Sequence, residues 1–286
     1  MSGDWLSKLA LTYLGDANRW PEIYDANKSL IEDTAKAHTG PPVFGTSDHG
    51  HWIFPGTNLI IPGICGQPPA SRVTPTGVPP CTHGTFLIGV HGTNDVPPEN
   101  LGEVVGALAK ALQRPDNRDP NGVTVYGIPY PGSVVNPIYD ESVAEGEVSL
   151  IDVLQAHAQC ADEKIVIAGY SQGAQVIRDA LAGLKNLAPD VVAKVSGIAL
   201  FGDPTVDLLG FPNGASADSL GVPVVGPYCK EEDPVCGTRN AELAAKCAIE
   251  ATLGQFVGQG VACGHFRYVP SSTDDAAKKI RDLPRR

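Results

Sequence analysis

The sequence predicts an α/β fold in which one parallel β-sheet is covered by helices on both faces, with a small separate unit before it. From residue 81 onward, short runs rich in β-branched residues alternate with amphipathic stretches of helical length. These runs are apolar throughout, which is typical of parallel strands buried on both faces. Residues 63–80 are rich in Pro, Gly, Ser and Thr, which is the composition of a linker.

The strands are predicted from the apolar runs, and the helices from the apolar spacing between them. Predicted strands occupy 86–90, 123–128, 164–168, 195–201 and 222–225 in chain order. Predicted helices occupy 101–112, 143–158, 174–181, 240–253 and 273–283. In the second of these helices, for example, Val143, Leu150 and Leu154 fall on one face. Active sites in such sheets lie at the C-terminal ends of the strands.

The first 62 residues predict a smaller unit with two helices. Apolar residues at helical spacing predict a helix over 7–13, which Gly15 ends. A second short helix is predicted over 20–27. A polar loop then leads to a turn and an edge-type strand within 53–62.

This unit resembles a LysM module, and the matching residues cover nearly all of it. They are Gly3, Asp4, Leu9, Ala10, Tyr13 to Asp16, Trp20, Ile23 to Asn27, Pro55 to Thr57, Leu59, Ile61 and Pro62. The resemblance implies a βααβ module that binds glycans containing N-acetylglucosamine, chiefly peptidoglycan or chitin. Two features depart from the family: the usual strand before Gly3 is missing, and the loop over 34–51 is long. The alternative is a small helical cap on the larger domain.

Composition and charge narrow the class of protein. The chain has 286 residues and a formal net charge of −11, which argues against nucleic acid as a partner because phosphate binding needs a basic face. The longest apolar runs are of strand length, so no membrane-spanning segment is predicted. No zinc-type spacing of Cys and His and no phosphate-binding Gly loop is present, so neither a metal nor a cofactor is expected. We expect a monomer.

The cysteines and the N-terminus together predict an extracellular protein for which no signal peptide is visible. Seven cysteines, some at spacings typical of disulfides, favour an oxidising compartment. Residues 1–5 show neither the basic nor the apolar region of a signal peptide. We therefore expect an extracellular or wall-acting protein that is released at host lysis or carried on a virion, or one that derives from a longer precursor.

The most informative motif is Gly169-Tyr170-Ser171-Gln172-Gly173. It follows the predicted strand at 164–168 and precedes the predicted helix at 174–181. A G-x-S-x-G sequence between a strand and a helix predicts a nucleophile elbow, in which glycines permit a tight turn and the serine hydroxyl is exposed. The following helix N-terminus suits a developing oxyanion.

A nucleophilic serine needs a histidine base, and the base needs an orienting carboxylate. In the α/β-hydrolase topology these residues follow in the order Ser, acid, His. His265 is the one histidine after Ser171 and is the predicted base. Asp233 is the favoured acid, because it lies between Cys229 and Cys236 in a loop that a disulfide would fix. Asp203, at the end of a predicted strand, is the alternative.

The larger unit resembles the cutinase family of serine esterases over about residues 81 to 270, with residues 271–286 as a C-terminal helix and tail. The matching features are Cys160 before the elbow, Gly169 to Ala174, the Cys229-x3-Asp233-x2-Cys236 pattern, and His265 after Gly264. The resemblance implies an α/β-hydrolase fold with disulfides Cys81–Cys160 and Cys229–Cys236. It also implies an oxyanion hole formed by Gln172 and Thr93. His91 is expected to be structural or to line the wall of the site, and a role as base is the alternative. Cys247 either pairs with Cys263 or is a buried free thiol, and Cys65 is left over.

The two resemblances together predict a function. A cutinase-like esterase joined to a LysM module resembles the phage lysin B proteins, which cleave the ester between mycolic acids and arabinogalactan. The alternatives are a secreted cutinase-like or lipase-like esterase acting on polyester or lipid, an acyl transferase with the same triad, and a wall-binding virion protein without activity.

Overall fold

The computed structural model describes residues 6–14, 19–37, 77–95, 100–116, 120–133, 138–204, 220–230, 232–237 and 263–286. It also describes residues 47, 50, 53, 57, 59–62 and 247. Most of the predicted linker (63–76) lies outside the described residues. So does the predicted helix at 240–253, apart from Cys247, which is helical.

A parallel sheet of five strands forms the centre of the larger unit. Its strands are β1 (Thr85–Val90), β2 (Val123–Gly127), β3 (Lys164–Tyr170), β4 (Val195–Phe201) and β5 (Val224–Tyr228). The spatial order is β2-β1-β3-β4-β5, and every neighbouring pair is parallel. The predicted fold class is therefore confirmed. The last strand starts two residues later than predicted and runs to Tyr228.

The described helices are α1 (Leu6–Leu14), α2 (Trp20–Ala37), α3 (Gly102–Gln113), α4 (Ile138–His157), α5 (Gln172–Leu187), α6 (Pro189–Ala193) and α7 (Ser271–Asp282). A short 3-10 turn, Gly264–Phe266, precedes α7. Helix α6 was not predicted from the sequence. Among the described residues, no helix is long and apolar enough to cross a membrane.

The sheet is buried on both faces because successive strand residues point in opposite directions. Ile88 of β1 and Ile167 of β3 pack in a core with α4 and α5 residues such as Leu154. Leu87, which precedes Ile88 in β1, points to the opposite face of the sheet. It packs in a second core that α3 and α7 cover, for example through Leu108. The continuous apolar runs in the sequence are explained by these two cores.

The N-terminal unit has a small apolar core of its own, and its two helices differ from the prediction in length. Leu6, Ala10, Ile23, Tyr24 and Ile31 form this core. Helix α2 continues to residue 37, ten residues beyond the predicted end at 27, because Ile31 and Ala35 extend its buried face at four-residue spacing. Helix α1 also lies against α4 of the larger unit.

The strand predicted within 53–62 is wrong for the residues that are described there. Ile53, Thr57 and residues 59–62 belong to no strand. Instead, the Asn27 side chain accepts a hydrogen bond from the Ile60 N–H and donates one to its C=O, both at 2.7 Å. A helix amide thus satisfies backbone groups that a partner strand would otherwise satisfy. Gly3 and Asp4, where the family's first strand would end, lie outside the described residues, so the domain boundaries stay a prediction.

A buried lysine joins the sheet to the last helix. Lys164, the first residue of β3, is only 6% exposed. Its Nζ donates to the C=O of Ile280 at 2.6 Å and to that of Arg281 at 3.2 Å. These carbonyls lie in the last turn of α7, where a cation is favourable; the Ile280 C=O also accepts the N–H of Leu283, which ends the helix, at 3.2 Å.

We expect Lys164→Met to lower the free energy of unfolding by about 2 kcal/mol, because buried carbonyls lose a charged donor. Urea unfolding followed by circular dichroism measures this. The matched control is Lys110→Met, which removes an exposed lysine in the last turn of α3 and should change stability by less than about 0.5 kcal/mol. Equal stability of the two variants would contradict this interpretation of Lys164.

Candidate active site

The predicted elbow lies at the C-terminal edge of the sheet, between β3 and α5. Ser171 is the single residue between these elements and has φ +52° and ψ −120°. A positive φ is costly for a residue with a Cβ and is found where surrounding structure imposes it, often at functional sites. A Cβ at Gly173 would lie 2.2 Å from the Val90 carbonyl oxygen, and one at Gly169 would lie 2.6 Å from the Gly173 oxygen. Both glycines are therefore required by close backbone contacts.

Ser171, His265 and Asp233 form a continuous chain of hydrogen bonds. The Ser171 Oγ lies 3.0 Å from His265 Nε2, and His265 Nδ1 lies 2.8 Å from Asp233 Oδ2. A carboxylate can only accept, so Nδ1 carries the proton and Nε2 is left to accept from the serine. The structure thus brings together three residues that are 62 and 32 positions apart in sequence (171, 233, 265).

Asp233 is fully buried and has three donors. Besides His265, its Oδ2 accepts from the Tyr268 hydroxyl at 2.5 Å, and its Oδ1 accepts from the Val235 N–H at 2.7 Å. Burial by itself raises the pKa of Asp233, but these hydrogen bonds and the electrostatic interaction with the His265 ring outweigh it and lower that pKa below its ordinary value. The carboxylate is therefore held in its ionised form.

The alternative acid, Asp203, has a different partner. Its Oδ2 accepts a hydrogen bond from Arg178 Nε of α5, and both side chains are buried. Asp203 follows β4 but makes an ion pair that joins the sheet to α5. Asp233, and not Asp203, contacts His265.

The loops that carry Asp233 and His265 are held by disulfides and by close backbone packing. Cys229–Cys236 brackets Asp233, and Cys247–Cys263 ends two residues before His265. A Cβ at Gly264 would lie 2.5 Å from the Glu232 carbonyl carbon, so the two loops are in direct contact there. The third disulfide, Cys81–Cys160, lies at the other end of the sheet, and Cys65 lies outside the described residues.

Of the two residues predicted for the oxyanion hole, Gln172 directly follows the serine, and Thr93 follows the strand that pairs with β3. Gln172 is the first residue of α5, so its N–H precedes the first intrahelical hydrogen bond. The Gln172 side chain is buried and is held by Ser133 C=O at 2.7 Å and Ser142 Oγ at 3.1 Å. Thr93 lies in the segment after β1, the strand that pairs with β3. The residue before it, Gly92, packs closely against Tyr170: a Cβ added at Gly92 would lie 2.7 Å from the Tyr170 ring.

His91, two residues before Thr93, contacts Gly92 and Tyr130. Its Nδ1 lies 2.8 Å from the Gly92 oxygen and its ring stacks at 4.4 Å on Tyr130. The Tyr130 hydroxyl in turn donates to the His91 C=O at 2.5 Å. These contacts hold the chain that leads to Thr93.

Two tyrosines that were not predicted as site residues donate hydrogen bonds to the predicted acid and to the backbone of the predicted base. Tyr268 donates to Asp233, and the Tyr170 hydroxyl donates to the His265 C=O at 2.8 Å. Burial raises the pKa of both hydroxyls well above the ordinary range, so they are donors at all accessible pH values. Tyr170 was visible as the second residue of the elbow motif, whereas nothing in the sequence marks Tyr268.

An apolar surface adjoins the base. Phe266 is 42% exposed, and its ring lies edge-on to the His265 ring with centroids 5.6 Å apart. Val269 is also exposed. Exposed large apolar side chains beside a reactive group favour an apolar ligand.

Comparison with known proteins identifies the family. The family model described as Cutinase matches residues 81–282. The cutinase of Botryotinia fuckeliana is 32% identical over 156 residues, which span 52% of this chain and 68% of that protein. Phospholipase Culp4 of Mycobacterium tuberculosis is 28% identical over 221 residues, which span 73% of this chain and 83% of that protein.

One solved structure agrees on the fold. An acetylxylan esterase determined at 0.90 Å resolution matches with a TM-score of 0.51 at 20% identity, over 71% of this chain and 99% of its own. Lysin B from Mycobacteriophage D29 matches with a TM-score of 0.39 at 16% identity, over 70% of this chain and 88% of its own. The second similarity is too low to carry an argument about the substrate.

The Tyr268–Asp233 hydrogen bond gives a pH-dependent prediction. Because the pKa of Asp233 is lowered by folding, its ionised form contributes stability above about pH 4, and this contribution is lost as the pH falls through the folded-state pKa. Tyr268→Phe removes one of the lowering donors. We expect its free energy of unfolding to be about 1–3 kcal/mol lower at neutral pH, with a smaller deficit under acid conditions where Asp233 is protonated. Urea unfolding at a series of pH values measures both effects.

The matched control is Tyr228→Phe, which removes a hydroxyl that donates to the exposed Asp275 at 2.8 Å. This loss should cost less than about 1 kcal/mol. A Tyr268→Phe deficit that is the same at every pH would show that packing, and not the charge of Asp233, is responsible.

Proposed function

The chain belongs to the cutinase family of carboxylic ester hydrolases, and on that premise we propose that Ser171, His265 and Asp233 are its catalytic triad. The observation that carries this proposal is the hydrogen-bonded chain from the serine hydroxyl through the imidazole to a buried carboxylate. Each group has the partner that its part in ester hydrolysis requires.

The reaction follows from this arrangement. His265 Nε2 takes the Ser171 proton as Oγ attacks the ester carbonyl carbon, and Asp233 stabilises the imidazolium. The N–H groups of Gln172 and Thr93 donate to the oxyanion of the tetrahedral intermediate, and each is worth on the order of 3 kcal/mol there. The imidazolium then protonates the leaving alcohol. Water, activated by the same nitrogen, releases the acid from the acyl-serine.

We propose further that the substrate is an ester of a long-chain acid in the envelope of mycolate-bearing actinobacteria, namely the mycolic acid–arabinogalactan ester. Three observations support this substrate. The exposed Phe266 beside His265 suits an apolar acyl chain. A mycobacterial relative is a phospholipase by name. The N-terminal unit resembles a wall-glycan-binding LysM module, which would raise the local concentration of the esterase at its substrate. Action at host lysis would also agree with the disulfides.

The alternative is an esterase acting on polyester or simple lipid esters, which the same triad would serve. Mass spectrometry of lipids released from purified mycolyl-arabinogalactan separates the two. We expect free mycolic acids with the wild type, and a loss of more than about 10⁴-fold in rate with Ser171→Ala, because the nucleophile is gone.

Ser196→Ala is the matched control, since Ser196 is buried in β4 and its hydroxyl has no hydrogen-bond partner within the described part of the chain. It should keep full activity. Turnover of p-nitrophenyl esters without mycolate release would leave the triad standing and favour the alternative. Undiminished hydrolysis by Ser171→Ala would sink the triad assignment itself.

We also propose that the N-terminal unit binds peptidoglycan. Co-sedimentation of full-length Ser171→Ala protein with purified insoluble peptidoglycan tests this without cleavage of any wall ester. We expect binding that soluble N-acetylglucosamine oligomers compete away. If the protein stays in the supernatant under conditions where it is folded, the unit is a helical cap and not a glycan-binding module.

A further inference from the structure

A second polar cluster lies at the opposite edge of the sheet from Ser171. Its members are His157 at the end of α4, Cys160 in the following turn, and Glu163 just before β3. All three are buried, and their ligand atoms lie within 4.8 Å of one another. Cys160 is bonded to Cys81, which precedes β1 and is exposed. The proposed ester hydrolysis uses none of these residues.

The cluster is held in a defined arrangement. His157 Nδ1 lies 2.7 Å from Glu163 Oε2 and 3.9 Å from Cys160 Sγ. The other Glu163 oxygen accepts the N–H of Thr82 at 2.8 Å. The His157 ring stacks on Phe86 with centroids 4.0 Å apart. Metal-binding histidines and carboxylates are oriented by outer contacts of this kind.

We propose that this cluster becomes a zinc site when the Cys81–Cys160 disulfide is reduced. A dithiol reductant would supply two electrons and two protons to the disulfide and would itself be oxidised to a disulfide. Zn²⁺ would then bind both sulfurs, His157 Nδ1 and Glu163 Oε2, and displace the two thiol protons to solvent. The proton that His157 Nδ1 donates to Glu163 would leave to solvent as Nε2 takes one up, so that the imidazole binds in its neutral form. A disulfide oxidant would reverse the sequence by taking two electrons from the thiolates and two protons from solvent to become a dithiol, which re-forms the Cys81–Cys160 disulfide and releases the ion.

The donor set and the distances suit zinc. Two thiolates, one imidazole and one carboxylate are all ligands that Zn²⁺ accepts in tetrahedral sites. Typical zinc bond lengths require N–O and N–S separations of about 3.3 and 3.6 Å. The observed 2.7 Å between nitrogen and oxygen is about 0.6 Å shorter than this, and the observed 3.9 Å between nitrogen and sulfur is about 0.3 Å longer, so His157 and Glu163 would exchange their hydrogen bond for zinc bonds by moving apart by about half an ångström. The exposed position of Cys81 gives the ion a path from solvent.

Sequence spacing could not reveal the fourth ligand: His157, Cys160 and Glu163 follow one another at three-residue intervals, but zinc motifs are recognised from cysteines a few residues apart. Here the two cysteines are 79 positions apart. The fold alone brings Cys81 to the turn between α4 and β3. In the reduced state, zinc would keep that connection where the disulfide keeps it in the oxidised state.

The test uses the full-length protein, oxidised and after reduction with a dithiol that is then removed anaerobically. Zinc binding is measured by competition with a chromogenic chelator, and Co²⁺ is used as a spectroscopic probe of tetrahedral thiolate ligation. We expect reduced protein to bind one Zn²⁺ that Cys160→Ser protein does not bind, and oxidised protein to bind none at this site. Reduced protein without such an ion, or oxidised protein with it, would overturn the proposal.

Two control variants separate this site from other thiols and from surface histidines. His157→Gln should weaken zinc binding at least tenfold, whereas His83→Gln, which removes an exposed histidine near Asp162, should not. Cys247→Ser removes a different disulfide and should keep the ion. Circular dichroism verifies that each variant is folded. Equal zinc affinity in folded His157→Gln and His83→Gln proteins would overturn the assignment of the ligand.

Discussion

The fully buried carboxylate of Asp233 is the constraint around which the last part of the chain is arranged. Burying a charge without partners would cost more free energy than the net stability of a single folded domain. The chain supplies an imidazole, a phenol and a backbone N–H to this one group. Each partner comes from the loops after β5, so these loops must close on one another for the carboxylate to be satisfied. The position of the base follows from that closure.

The sheet contributes the other half of the site. Because all five strands are parallel, their C-terminal ends share one edge, and the elbow after β3 opens next to the segment after β1. The approach of Gly173 to the Val90 carbonyl sets the distance between these two segments. The nucleophile and both proposed oxyanion donors are therefore positioned by elements with large apolar cores, whereas the base and acid are positioned by loops that disulfides hold.

The structure was predicted best from the sequence where a pattern is compatible with only one structural interpretation. Continuous apolar runs predicted the parallel strands, and the elbow motif between a strand and a helix located Ser171. Asp233 was favoured over Asp203 because two cysteines bracket it, but Asp203 stayed open as an alternative because both acids lie in loops after strands. The sequence gives no sign that Arg178 of α5 is the partner of Asp203, since only the fold brings these two residues together. Tyr268 was missed for the same reason, since its contact with Asp233 exists only after the loops have closed.

The N-terminal unit shows the limit of local patterns. Helix α2 is longer than predicted because Ile31 and Ala35 continue its buried face within a stretch whose polar composition favoured a loop. In place of the strand predicted within 53–62, the backbone of Ile60 makes hydrogen bonds to the Asn27 side chain. A side chain that substitutes for a neighbouring strand leaves no periodic signal in the sequence.

The order of elements along the chain also has a consequence for biosynthesis. All five strands precede residue 229, whereas His265 and α7, which Lys164 and Arg281 hold against the rest of the domain, come last. Because synthesis proceeds from the N-terminus, a nascent chain can assemble its sheet and its serine elbow before the base exists. The hydrogen-bonded chain from Ser171 to Asp233 can therefore form only after His265 has been made and the C-terminal part of the domain has packed against the sheet.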